Sequence, residues 1–257
     1  MNYAFTNGKI LNGNKDMQLQ EGLCILVQDD KIIDIVPDTT DLHDYKRIDL
    51  HGHYILPGLI NMHVHLAGNG KPQKKQRDNE KLVNTIMSSS LTRAVAYKMT
   101  SYFAKTELLS GVTTIRTVGG LGSFDTRLRD EIEAGAKIGP RILASNQGIS
   151  VPGGHMAGSV AIAAATIPDA LDHLEKSKED KVDLIKLMIT GGVMDAKEKG
   201  VPGELKMSPE MVRAVCEKAH AYGYLVAAHV ESTEGVRVAL ENGVESIEHG
   251  AKMDNEM

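Results

Sequence analysis

The sequence has no tryptophan, and aromatic residues make up 4% of its 257 positions. That scarcity carries no functional message on its own. Cysteine is nearly absent as well. Cys24 and Cys216 stand far apart, which excludes a zinc ribbon or a redox pair and reads as two reduced core thiols of a cytoplasmic protein. No apolar run approaches the length of a membrane span. The opening MNYAFTNGKI lacks the basic flank and apolar core of a signal peptide. An excess of basic charge is missing too: 29 Lys and Arg against 34 Asp and Glu give a net charge of -5. That balance argues against a nucleic-acid binder. What remains, 42% hydrophobic and 25% charged, is an ordinary soluble composition. The length suits one large α/β barrel or two modest domains.

Residues 1–54 read as a small β domain. Short β-branched or aromatic runs at 3–11, 22–28, 31–36 and 47–50 are separated by Asn-Gly and Asp-Asp turn signals. His43, His51 and His53 fall in its loops or strand ends and read as surface histidines. From residue 55 onward strands alternate with helices. Strands are expected at 112–118, 141–145, 182–189, 225–230 and 246–248. Helices are expected at 79–110 (with a break near 88–90), 123–136, 167–179, 208–222 and 233–242. Ser208 before Pro209 is a natural N-cap and first helical residue. Strand, helix, strand at this spacing predicts a parallel sheet.

Within that frame, ILPGLINMHVHLAG at 55–68 places His63 and His65 two residues apart, on one face of a strand. Neutral imidazole is the commonest protein metal ligand, yet an isolated His-x-His is short and common. The other polar intrusions change the weighing. Covered parallel strands should be almost wholly apolar, and barrel sites gather at carboxyl strand ends. Lys186 on the fourth strand, His229 on the fifth and His249 on the sixth all break that pattern near such ends. Lysine is almost never buried unpaired. A cationic Lys186 would repel a metal held by four histidines, so it must be neutral, displaced or converted into an anion.

With those residues in view, the chain resembles the amidohydrolase superfamily, in its prolidase-like and imidazolonepropionase-like branch. PGLINMHVHL, GVTTIRTVGG, PRILASNQGISVPGGH, LIKLMITGGVMD, AAHVESTEGV and SIEHG resemble the family's first six barrel strands in order. The resemblance implies an α/β fold of (β/α)8 TIM-barrel type with about six βα units over 55–257. A small N-terminal β-sandwich-like domain would occupy 1–54. It implies two divalent ions: zinc fits the ligand set best, with manganese, cobalt or iron also accommodated. His63 and His65 would hold one ion and His229 and His249 the other. Lys186, carboxylated by carbon dioxide, would bridge both as a carbamate. A hydroxide between the ions would attack the C–N bond of a small N-acyl amino acid or dipeptide. His155, in the Gly-rich loop after the third strand, resembles a substrate contact, and a purely structural loop histidine fits equally well. A cyclic amide hydrolase of the imidazolonepropionase type is the alternative enzyme, and Lys186 tells against it.

Two departures stand out. Thr117 replaces an aspartate common in relatives, changing the polarity behind the ligands. The family's proton-shuttling aspartate lies on an eighth strand and has no counterpart here; Asp195 and Asp254 are in the wrong places to replace it. Six strands of eight would leave exposed edges. The expectation is a fragment that is inactive, that self-associates as a homo-oligomer, or that is completed by a missing C-terminal segment.

Overall fold

The structure, a computed structural model, describes residues 1–70, 78–193 and 203–255. The sequence of 71–78 reads as a charged, Pro-containing loop after the His63–His65 pair; most of it, and Asp195, lie outside the described residues. The chain divides into two compact units, Met1–Gly58 and Leu59–Met257.

In the first unit, Asn7 adopts a left-handed conformation (φ 53°) that an asparagine tolerates. Its side chain is tied to Asp49 at 2.9 Å. That turn splits the run expected at 3–11 into β1 (Asn2–Thr6) and β2 (Lys9–Leu11), which enter different sheets. The unit continues through β3 (Leu19–Gln20), β4 (Leu23–Gln28), β5 (Lys31–Pro37), β6 (Lys46–Asp49) and β7 (Tyr54–Ile55). One sheet has the order β5-β4-β1-β6 and the other β3-β2-β7. Ala4, Cys24, Leu26 and Leu42 form its small core. Because β7 pairs with β2, Tyr54 and Ile55 belong to this unit. His43, His51 and His53 are exposed on it.

The second unit runs β8 (Leu59–Val64), α1 (Asn79–Met87), α2 (Ser90–Leu109), β9 (Val112–Thr117), α3 (Phe124–Glu133) and β10 (Arg141–Ala144). It continues with β11 (Gly148–Ser150), β12 (Ala161–Ala163), α4 (Ile167–Glu179), β13 (Ile185–Met188), α5 (Pro209–Ala221), β14 (Val226–Val230), α6 (Thr233–Glu241) and β15 (Ser246–His249). Ser89 accepts from the Thr92 amide and starts α2, which breaks the long helical stretch where expected. Ser208 caps α5 through the Met211 amide, with Pro209 at its first position. Every strand pair in this unit is parallel. Among the described residues the strands form two sheets, β10-β9-β8 and β12-β11-β13-β14-β15, with no closed ring of hydrogen bonds.

The two sheets part at a kink just past the strand expected at 141–145. Asn146 is left-handed (φ 55°), buried, and holds Thr126 by two hydrogen bonds of 3.0 and 3.1 Å. Upstream, β10 pairs with β9; downstream, Ile149 of β11 pairs with Leu187 of β13. One face of β13 and β14 packs on α4, α5 and α6 through Ile185, Leu187, Val226, Ala228 and Val230. No described helix is long and apolar enough to cross a membrane.

Candidate metal centre

Strand alternation decides which side chains meet on the other face. Ile185 and Leu187 point into the helix-covered core, so Lys186 between them points away from it, yet it is only 1% exposed. Ala228 and Val230 likewise send His229 to that opposite face. His63 stands in β8 and His65 one residue past its end, and the two rings lie side by side. At the end of β15 alternation fails: His249 is left-handed (φ 68°), followed by Gly250 at φ 79°. This turn lets Glu248 and His249, adjacent in sequence, both join the cluster.

The rings form a chain of contacts. His63 lies 5.1 Å from His65 and 4.7 Å from His249, centroid to centroid. His249 is 4.7 Å from His229, and His155 stacks on His229 at 4.0 Å with 10° between planes. The structure therefore brings His63, His65, His155, His229 and His249 into one group. Lys186 is close enough for its charge to act on His65, His229 and His249.

Hydrogen bonds settle the tautomers of the first pair. His63 Nδ1 faces the Glu248 carboxylate at 2.8 Å, and His65 Nδ1 faces the Gly119 carbonyl at 2.9 Å. Both partners only accept, so both Nδ1 atoms carry the proton. Gly119 (φ 136°) turns its carbonyl to this task, and a Cβ there would sit 3.2 Å from the His65 ring. The two Nε2 lone pairs are left facing each other at 3.2 Å. Such an arrangement is repulsive unless a cation lies between or beside them. His229 Nε2 meets the Gly191 carbonyl at 3.3 Å, which leaves its Nδ1 as the electron-pair donor.

Electrostatics point the same way. Burial pushes His65 down to about 4 and His229 down to about 3, the latter helped by neighbouring His155. Burial also lowers His249. These imidazoles are neutral and ligand-ready at pH 7. Lys186 is lowered to about 7 by burial, partly offset by Glu248, and its Nζ has no hydrogen-bond partner. Burial alone would raise Glu248, but His63, Lys186, Ser246 and Arg116 hold it down to about 2.

Three residues were not singled out from sequence. Buried Glu248 and partly buried Arg116 form an ion pair behind His63. Glu231 offers a carboxylate oxygen that falls within 4.8 Å of ring nitrogens of His229 and His249, and one of its oxygens is buried without a hydrogen bond. Arg116 was visible as a charge inside GVTTIRTVGG. Glu231 was visible as the acidic residue two past His229, just beyond the end of β14.

Comparison with known proteins agrees with this geometry. The sequence profile of the amidohydrolase family matches residues 54–257. The chain belongs to the amidohydrolase family. An imidazolonepropionase from Stenotrophomonas maltophilia is 25% identical over 249 residues, covering 88% of this chain and 58% of the relative. The solved structure of a putative prolidase from Bifidobacterium longum is 35% identical with a TM-score of 0.77, covering 99% of this chain and 56% of that one. A Xaa-Pro dipeptidase solved with methionine in its active site is 30% identical with a TM-score of 0.79, covering 100% and 63%. The chain thus spans less than two thirds of the length of these family members.

The donor set fits the divalent metals of the family: four imidazoles, two with their Nε2 atoms opposed at 3.2 Å, beside a buried amine with no partner.

Proposed function

We propose that the protein is a metal-dependent hydrolase cleaving the C–N bond of small N-acyl amino acids or dipeptides. The observation that carries this reading is the opposed pair of Nε2 atoms on His63 and His65, each ring turned that way by an acceptor at its Nδ1. His63 and His65 would hold one divalent ion, His229 and His249 a second. Lys186, neutral in a large fraction at physiological pH, supplies an amine whose Nζ can attack carbon dioxide. An N–C bond would form as one C=O π bond of carbon dioxide opens onto oxygen and the amine's proton leaves to water, and the resulting carbamate would set an anion among the four histidines where a cationic lysine would repel a metal. When bound, zinc or another divalent ion would acidify a water to a hydroxide nucleophile and polarise the scissile carbonyl. His155, stacked on His229 at 4.0 Å, would contact substrate beside the ions.

Because the chain is shorter than its relatives, metal content is the primary test and turnover the second. Elemental analysis of protein purified without chelator should give about two equivalents per chain. A screen of Xaa-Pro dipeptides and N-acyl amino acids should then show hydrolysis abolished by chelator and restored by metal. Protein that binds no metal even after reconstitution would overturn the reading. Hydrolysis confined to a cyclic amide would move it to the imidazolonepropionase type.

Gly192 offers a sharper probe of the second pair. A Cβ there would lie 2.8 Å from the His155 ring and 3.1 Å from His229 Cε1. Gly192→Ala should therefore pry the stacked rings apart and cut turnover by about 100-fold, the cost of an ångström-scale misplacement. The check is kcat/KM with metal content measured alongside.

A further inference from the structure

The structure assigns Glu248 as the positioning residue that fixes the His63 tautomer, with Arg116 as the group that dictates which Glu248 oxygen His63 receives. The inference rests on His63 being a metal ligand, as proposed above. Glu248 is 5% exposed, and both of its oxygens are committed. Its Oε2 takes His63 Nδ1 at 2.8 Å. Its Oε1 takes the Ser246 hydroxyl at 2.8 Å and an Arg116 Nη2 proton. Arg116 is itself anchored on both sides: Nη1 donates to Ser246 Oγ at 3.0 Å and Nε to the Met62 carbonyl at 2.8 Å. Since Met62 directly precedes His63, one guanidinium holds both the backbone beside the ligand and the carboxylate behind it.

This arrangement makes an isosteric substitution informative. In Glu248→Gln, the Oε1 position still faces two donors, Arg116 Nη2–H and the Ser246 hydroxyl. Arg116 cannot accept a hydrogen bond, so the amide oxygen must occupy that position. The amide NH2 is then left facing His63 Nδ1, which can meet it only by giving up its proton. His63 becomes the Nε2–H tautomer, and that proton satisfies the opposed His65 Nε2 3.2 Å away. The pair closes on itself and no longer presents two lone pairs to a cation.

The experiment reads the tautomer and the metal separately. Long-range 1H–15N spectra of metal-stripped protein report which His63 nitrogen bears the proton, and chelator competition reports the affinity of reconstituted protein for zinc. Wild type should show Nδ1–H. E248Q should show Nε2–H, with zinc affinity reduced 10- to 100-fold, the usual effect of losing a partner behind a ligand. In the double variant Arg116→Met with Glu248→Gln, the amide oxygen is free to turn to His63 and should return the proton to Nδ1. A purely structural role for Glu248 would change thermal stability in these variants without this swap and reversal. If His63 keeps its Nδ1 proton in E248Q, or if the tautomer swaps and zinc affinity stays at the wild-type value, the assignment is overturned. If the tautomer swaps while wild type binds no zinc, Glu248 still positions His63, and the metal reading is what fails.

Discussion

Lys186→Met is expected to make the metal-stripped protein more stable by about 2–4 kcal/mol at pH 7 and to reduce hydrolysis by about 10³-fold or more. The two halves of this result have one origin. Lys186 is 1% exposed with an unpartnered Nζ, and burial holds it down to about 7. In the unfolded chain the same amine stays protonated to above pH 10. Between about pH 7 and pH 10 the unfolded state binds more protons than the folded one, so stability of the metal-stripped wild type rises with pH across that window. Below pH 7 the full penalty for burying the charge is present. Methionine has a similar volume and no charge, so Lys186→Met should lose that slope, and its advantage over wild type should shrink as pH rises towards 10. Denaturant unfolding of both proteins at several pH values tests this directly. A less stable methionine variant, or an unchanged difference between pH 7 and pH 10, would show that the site does not carry a strained lysine. The functional half follows from the amine: without Nζ the proposed carbamate could not form, and metal content should fall along with turnover.

Much of this arrangement was legible in the sequence, for a physical reason. A parallel strand covered on both faces has no ordinary use for a polar side chain, so Lys186 and His229 stood out against apolar neighbours. His63 and His65 stood out because a spacing of two keeps them on one face. The helices were legible from caps, as at Ser208-Pro209. Three of the features that escaped depended on a left-handed residue. Asn7 divides an apparent single strand between two sheets, and Asn146 bends the third strand so that its two halves join different partners. Asparagine and histidine take up such φ values without advertising them, unlike glycine. Glu248 was invisible for the same reason. Alternation assigns residues 248 and 249 to opposite faces, and only the turn at His249 brings both to the cluster.

That turn sets up the second large effect. A left-handed residue other than glycine or asparagine costs about 1–2 kcal/mol, and His249 stands at φ 68° while its ring is needed at the centre. The backbone is held there from both sides: the Gly250 amide donates to Val230 O at 3.0 Å and to Glu248 O at 2.9 Å. Asparagine tolerates this conformation, so His249→Asn should leave the metal-stripped protein as stable as wild type, or more stable by about 0.5–1 kcal/mol. It should nevertheless lose one of the two metal equivalents proposed for the site and about 10³-fold of turnover, because the donor nitrogen is gone. His249→Val removes the same ring but forces a β-branched side chain into the left-handed region, and it should unfold more easily by about 1–2 kcal/mol. Loss of metal in both variants with loss of stability only in the valine one would separate the ring's role from the backbone's. Equal destabilisation of both would mean that the ring contacts to His63 and His229, 4.7 Å away on either side, hold the fold together in their own right. Taken with Lys186→Met, the asparagine result would place the strain of this unit at the positions where its chemistry is done.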